Sequence, residues 1–169
     1  MNFMRKLAEG MYSVQQIKWK PLLISLAVTL GTGALSGWLT QGSMQIYQDF
    51  QKPPLSPPAI LFPIVWTVLY ILMAVSAYMI YQSNPECRRT ALIVFVAQLA
   101  VNFLWPIFFF NLHAYLFSFL WLTLLWVLVL VMIVVFYRCR RCAALLQIPY
   151  LLWLTFAAYL SCSVWLLNR

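Results

Sequence analysis

Acidic side chains are nearly missing from this sequence. Glu9, Asp49 and Glu86 are the only carboxylates in 169 residues. All three lie outside the long apolar runs, so no carboxylate pair or intramembrane acid is available for acid–base catalysis or a proton relay. His113 is the only histidine, and its short turn fits a solvated residue better than a ligand to iron. The four cysteines, Cys87, Cys139, Cys142 and Cys162, are too few and too scattered for a disulfide framework. The spacing Cys139-Arg-Arg-Cys142 stands alone, and its arginines fit a membrane-end anchor better than a metal or redox pair. HExxH, G-x-S-x-G and P-loop patterns are absent. No catalytic residue, metal ligand or required cofactor is therefore assigned. Charged residues make up only 8% of the chain, against about 25% in a soluble domain, which excludes an ordinary water-soluble fold.

What the chain has instead is apolar length, at 64% hydrophobic residues. Uncharged runs of about 20 residues recur, long enough at 1.5 Å per residue to cross a hydrocarbon core of about 30 Å. They are continuous rather than alternating, so barrel strands are excluded and an all-α integral membrane protein follows, a bundle of five transmembrane helices. The spans fall at about residues 21–40, 62–82, 90–109, 114–137 and 143–168. A basic segment, 1–20, precedes the membrane domain, 21–169. The first run is read as a retained helix, because a secretory signal has a shorter apolar core. Ser83–Arg89 reads as a turn broken at Asn84-Pro85, and Asn111–His113 as a tight turn that makes the third and fourth spans antiparallel neighbours.

The net charge of +8 sits at span ends, so it reports topology rather than nucleic-acid binding. Arg5, Lys6, Lys18, Lys20, Arg88, Arg89, Arg138, Arg140 and Arg141 share one side of the membrane, against Lys52 and Arg169 on the other. The positive-inside rule then puts the N-terminus in the cytoplasm and the C-terminus outside. The 41–61 connector lies on the outer face.

That connector carries Pro53, Pro54, Pro57 and Pro58. It is stiffer than a mere joint between helices requires, and it is expected to act as a lid. Beneath it, helical spacing gathers polar and aromatic stripes. Gln98, Asn102 and Trp105 share a face of the third span, with Pro106 loosening the turn at Asn102. Trp66, Tyr70 and Met73 share a face of the second. Pro149, Trp153, Phe156 and Ala157 lie together on the fifth, and Ser118, Trp121 and Leu125 on the fourth. Spacing alone leaves two readings: interfacial anchoring and packing, with Gln98 and Asn102 as interhelical glue, or the walls of a ligand pocket. Gly33-Ala-Leu-Ser-Gly37 is likewise either a close-packing seam or tolerated glycine.

Three stretches carry a family resemblance. Lys52-Pro53, Pro57-Pro58 and Pro63-Ile-Val-Trp66 through Tyr70 resemble the first loop and second helix of the translocator protein family (TspO/MBR, peripheral benzodiazepine receptor). Gln98 to Phe109 resembles its third-helix motif, and Pro149-Tyr150-Leu-Leu-Trp153 with Phe156-Ala157 its fifth. The resemblance runs in order from about residue 21 to 168. It implies a pocket below the first loop for tetrapyrroles (porphyrin or haem-type), sterol-like molecules and benzodiazepine-type drugs, in contact with membrane lipid, and it allows a homodimer. Carried over by motif, the site comprises Tyr47, Trp66, Asn102, Trp105, Trp153 and Ala157, with Pro53 and Pro58 shaping the lid. Tyr70, Gln98 and Phe156 join them from the shared faces, and Lys52 is placed to pair with a propionate. The implied activity is binding for sequestration, sensing or transfer. The alternative is light- and oxygen-dependent porphyrin breakdown, and a transporter is less favoured because no charge crosses the spans.

Departures sharpen the reading. Leu55 stands where the family commonly has Trp, and Trp121 where an acid is usual. The sterol motif of the animal proteins needs a Tyr with a following Lys or Arg within five residues; Cys162 occupies the tyrosine position, and Tyr159 is ten residues from Arg169. Cholesterol binding is therefore discounted, and a bacterial cell membrane is preferred to the mitochondrial outer membrane.

Overall fold

A computed structural model describes residues 17–43, 53 and 55–168, so Tyr47 and Lys52 lie outside the described residues. The long helices are α1 (Trp19–Thr40), α2 (Leu61–Tyr81), α3 (Pro85–Pro106) and α4 (Tyr115–Cys139), followed by a short α5 (Arg141–Leu145) and α6 (Ile148–Leu167). Among the described residues five spans are long and apolar enough to cross a bilayer, the fifth being α5 and α6 together. The chain is a five-span, all-α integral membrane protein.

Three boundaries differ from expectation, each at a proline. The Asn84-Pro85 pair starts a helix instead of breaking one. Asn84 caps α3 by accepting from the Glu86 amide, and Pro85 occupies the first turn, where its missing N–H costs nothing. Pro106 has no N–H to give Asn102, and the chain widens into a π-helical turn over Ile107–Asn111. The fifth span is broken between Leu145 and Ile148 because Pro149 cannot donate to the residue four before it.

In lipid, helices are not held together by apolar burial, since the surroundings are equally apolar; packing and interhelical hydrogen bonds do the work. Leu120, Leu124, Val127 and Val131 of α4 face outward. Met73, Ile80, Leu125, Met132, Phe136 and Leu154 are fully buried in the core. Ser25 donates to the Ala74 carbonyl at 2.7 Å and joins α1 to α2, and Ser76 donates to the Ala143 carbonyl at 2.7 Å, joining α2 to α5. The Trp121 indole donates to the Val101 carbonyl at 2.9 Å, tying α4 to α3. Each such bond contributes about 0.6 kcal/mol.

Gly33 lets α1 approach α2, because the Tyr70 ring lies where a Cβ would stand. Gly37 meets no neighbour in this way, so the seam rests on Gly33 alone. One cross-link was not expected. Cys87 and Cys139, 52 residues apart, form a disulfide. The sequence distance hides their proximity, which the antiparallel α3–α4 hairpin creates by bringing its open ends together.

Candidate ligand pocket

A cavity of about 530 Å³ opens at the loop end of the bundle. It arises because α2 and α6 are bridged by rings rather than by close backbone packing. Gly33, Ser36 and Gly37 of α1 form one wall. Phe62, Trp66 and Tyr70 of α2 form the second, Asn102 and Trp105 of α3 the third, and Trp153, Ala157 and Ser161 of α6 the fourth. Phe109 and Phe110 of the π turn close one corner, and Ser56 and Ala59 of the connector border the cavity.

Each aromatic wall is braced. Trp66 tilts against Tyr70 at 5.6 Å between ring centroids and meets the edge of Tyr150 at 6.1 Å. The Trp105 indole donates to the Ser118 carbonyl at 3.1 Å while its ring stacks on Phe109. Trp153 meets Phe62 edge-on at 6.0 Å. Such pairs fix ring planes before a ligand arrives.

The polar groups are few. Asn102 Nδ2 donates to the Tyr150 hydroxyl at 2.9 Å, and that hydroxyl donates to Gln98 Oε1 at 3.2 Å. All three residues are buried, with Tyr150 and Gln98 at zero exposure. With one N–H committed to Tyr150, Asn102 has its carbonyl oxygen and a second N–H to offer a ligand. Ser36 and Thr40 spend their hydroxyls on backbone carbonyls. The hydroxyls of Ser56 and Ser161 are buried with no partner among the described residues. An orphaned buried hydroxyl costs about 1–3 kcal/mol, so both are open to an acceptor from a ligand or a water.

Six of the residues expected from sequence meet at this cavity: Trp66, Tyr70, Asn102, Trp105, Trp153 and Ala157. Gln98 lies one turn deeper and reaches the cavity only through Tyr150 and Asn102. Phe156 points away, into a shallow groove with Val65, Val68 and Pro149. It shares that groove with one side of Trp153, because positions 153 and 156 straddle the edge of the face. Pro53 is buried and Pro58 exposed, and neither lines the cavity. Leu55 is 67% exposed, so the absent indole leaves no gap in the wall. Ser118 and Trp121 of α4 serve α3 instead of the cavity.

Gly33, Phe109, Phe110, Tyr150 and Ser161 were not anticipated as site residues. Gly33 lay in the small-residue pattern of the first span, and Phe109 and Tyr150 within the third- and fifth-span motifs, whereas Phe110 and Ser161 carried no such signal.

Comparison with known proteins decides what this bundle is. The model of the TspO/MBR family matches residues 24–166. The chain belongs to the TspO/MBR family. Among its relatives, protein CrtK of Rhodobacter capsulatus is 39% identical over 124 residues, covering 72% of this chain and 78% of CrtK. The tryptophan-rich protein TspO of Chlorobaculum tepidum is 30% identical over 156 residues, 91% of this chain and 98% of that protein. The translocator protein of Bos taurus is 30% identical over 156 residues, 89% and 92% respectively. The family match begins within α1 and ends within α6, so it spans every wall of the cavity.

Proposed function

We propose that this TspO/MBR protein is a membrane receptor for tetrapyrroles, porphyrin or haem-type, and related flat hydrophobic ligands, acting in their sequestration, sensing or transfer. One observation carries the reading: an apolar cavity of about 530 Å³ walled by three indoles, Trp66, Trp105 and Trp153, with Asn102 as the buried polar point. Small-molecule sites have this composition, apolar walls with a few convergent polar groups, and volumes of roughly 300–1,000 Å³. Braced aromatic faces suit a macrocycle, and the Asn102 carbonyl suits a pyrrole N–H. By the family resemblance Lys52, outside the described residues, would pair with a propionate. The same apolar walls would also admit benzodiazepine-type or sterol-like molecules, with cholesterol itself disfavoured by Cys162 at the motif's tyrosine position. The names of relatives, a tryptophan-rich sensory protein in Cereibacter sphaeroides and translocator proteins in mammals, agree with a sensing or transfer role.

The membrane we propose is a bacterial cell membrane, with the N-terminus cytoplasmic, the cavity near the outer face and a homodimer as the assembly. The three indoles also support a second reading, in which light and oxygen drive porphyrin breakdown in the cavity.

Titration of the purified protein with protoporphyrin, followed by tryptophan quenching, tests the binding reading. Saturable quenching is expected, weakened in Trp66→Ala and in Trp153→Ala. Parental affinity in both variants would place the ligand elsewhere. Illumination of the complex separates the two readings: a discrete product that depends on these tryptophans supports breakdown, and unselective bleaching does not.

A further inference from the structure

The pocket uses none of the four cysteines. Three of them gather at the opposite end of the bundle. Cys87, in the first turn of α3, is joined to Cys139, the last residue of α4, with Cα atoms 5.7 Å apart. Cys142 lies three residues further on as an exposed free thiol. Both bridged residues are half-buried rather than sealed in the core.

The surroundings are strongly cationic. Arg88 and Arg89 follow Cys87, and Arg138, Arg140 and Arg141 surround Cys139 and Cys142. Glu86 is the only acidic side chain among the described residues. Arg88 is positioned by the Tyr81 carbonyl at 3.2 Å and lies over the Tyr81 ring, and Arg141 lies over the Tyr137 ring. Arg88 and Arg141 are thus held by a carbonyl and by rings, and the five arginines share the cysteine-bearing end of the bundle with a single carboxylate among the described residues. The bridge is not needed to hold the cavity end of the hairpin. There the Trp105 and Trp121 indoles already bond α3 to α4.

We propose that Cys87–Cys139 is a reversible redox site that exchanges with a small anionic thiol attracted by the arginine cluster. The proposal rests on the cytoplasmic orientation of the basic loops, a compartment in which low-molecular-weight thiols keep disulfides transient. In the exchange a thiolate attacks the Cys139 sulfur, the Cys87–Cys139 bond breaks, and Cys87 leaves as a thiolate stabilised by nearby guanidinium groups. A second small thiolate attacks the outer sulfur of the mixed disulfide and frees Cys139. Two small thiols are oxidised to one small disulfide, and the protein bridge is reduced to two thiols that take up the two protons. Oxidation runs the same steps backwards with the small disulfide as oxidant. The consequence is a clamp on the α3–α4 hairpin that closes or opens with the state of the thiol pool.

The test uses the full chain in detergent, equilibrated with mixtures of reduced and oxidised glutathione as the probe. Samples are acid-quenched, alkylated with a maleimide under denaturing conditions and weighed intact. Two adducts are expected on the oxidised protein, at Cys142 and Cys162, and four on the reduced protein. The interconversion should fall within the glutathione range, and the cationic thiol cysteamine should react several-fold more slowly at equal thiolate concentration. Cys87→Ser should give three maleimide adducts in excess reduced glutathione, and in excess oxidised glutathione should carry a glutathione mass in place of the maleimide at Cys139, the mixed disulfide that Cys87 would otherwise resolve. Two adducts that persist in excess reduced glutathione, four that persist in excess oxidised glutathione, or equal rates with cysteamine would overturn the proposal. A single maleimide adduct with no glutathione mass on Cys87→Ser, the mark of a disulfide among the remaining cysteines, would overturn the pairing. Orientation is read separately, by impermeant maleimide on intact cells. Fast labelling of Cys142 from outside would reverse the topology while leaving the exchange chemistry measured on its own.

Discussion

Replacing Gly33 by alanine probes the joint between fold and pocket. A methyl group at Gly33 would overlap the edge of the Tyr70 ring, which is only 6% exposed and is braced by Trp66. The ring cannot swing out to solvent, so either α1 retreats from α2 or Tyr70 moves into the cavity that both residues line. Overpacking of this kind costs about 1–3 kcal/mol. Alanine also gains about 1 kcal/mol over glycine in a helix interior, which would mask the cost if the parent were the reference. Gly31→Ala removes that ambiguity, because it makes the same gain with nothing within 4 Å to strike. Relative to Gly31→Ala, Gly33→Ala should unfold with about 1–3 kcal/mol less stability in detergent, read by near-ultraviolet circular dichroism. Where the strain is relieved by Tyr70 entering the cavity, protoporphyrin affinity should fall at least about fivefold, the equivalent of 1 kcal/mol. If Gly33→Ala matched Gly31→Ala in both stability and affinity, α1 would not be packed through Gly33 and Tyr70 would not be a fixed wall.

Tyr150→Phe strips two buried hydrogen bonds from Asn102 and Gln98; at about 0.6 kcal/mol per interhelical bond it should lose about 1 kcal/mol of stability in thermal unfolding, and calorimetric titration should show weaker protoporphyrin binding. Ser161→Ala removes a buried hydroxyl without a partner, so stability should hold or rise while affinity for a ligand bearing a carbonyl or carboxylate falls several-fold in the same titration. Phe156→Ala should leave protoporphyrin affinity at the parental value in the quenching assay, since its ring faces the outer groove. Reduction of Cys87–Cys139 releases a cross-link spanning 52 residues, for which chain entropy gives about 4 kcal/mol. Helices that persist in the unfolded membrane state make that an upper limit, and comparison of unfolding midpoints before and after reduction measures the real value.

The spans were legible because a bilayer imposes a length and a composition that few other structures satisfy. Their ends were less so, and proline explains each case. Pro85 starts a helix, Pro106 widens one and Pro149 interrupts one, and which role a proline takes depends on the partners available to the neighbouring backbone. The inward faces of the second and third spans were readable from spacing at Trp66, Tyr70, Asn102 and Trp105. At the fifth span spacing placed Phe156 beside Trp153 correctly, yet the edge of the cavity passes between them, and only the rotation of the helix decides that. Gln98 was a sound inward residue, but depth along the axis put it under the floor rather than on it. Ser161 gave no sign, being one of two serines in that span with nothing in the pattern to separate it from Ser163. The disulfide was invisible for a different reason: it depends on two helix ends meeting, and neither cysteine has a local pattern that says so.

The most direct test of the account is a structure of the protein bound to protoporphyrin. The macrocycle should lie in the cavity between Trp66 and Trp153, within van der Waals distance of Trp105, with a pyrrole nitrogen facing Asn102. A macrocycle seated in the outer groove against Phe156, or held on the lipid-facing surface with the cavity empty, would contradict it.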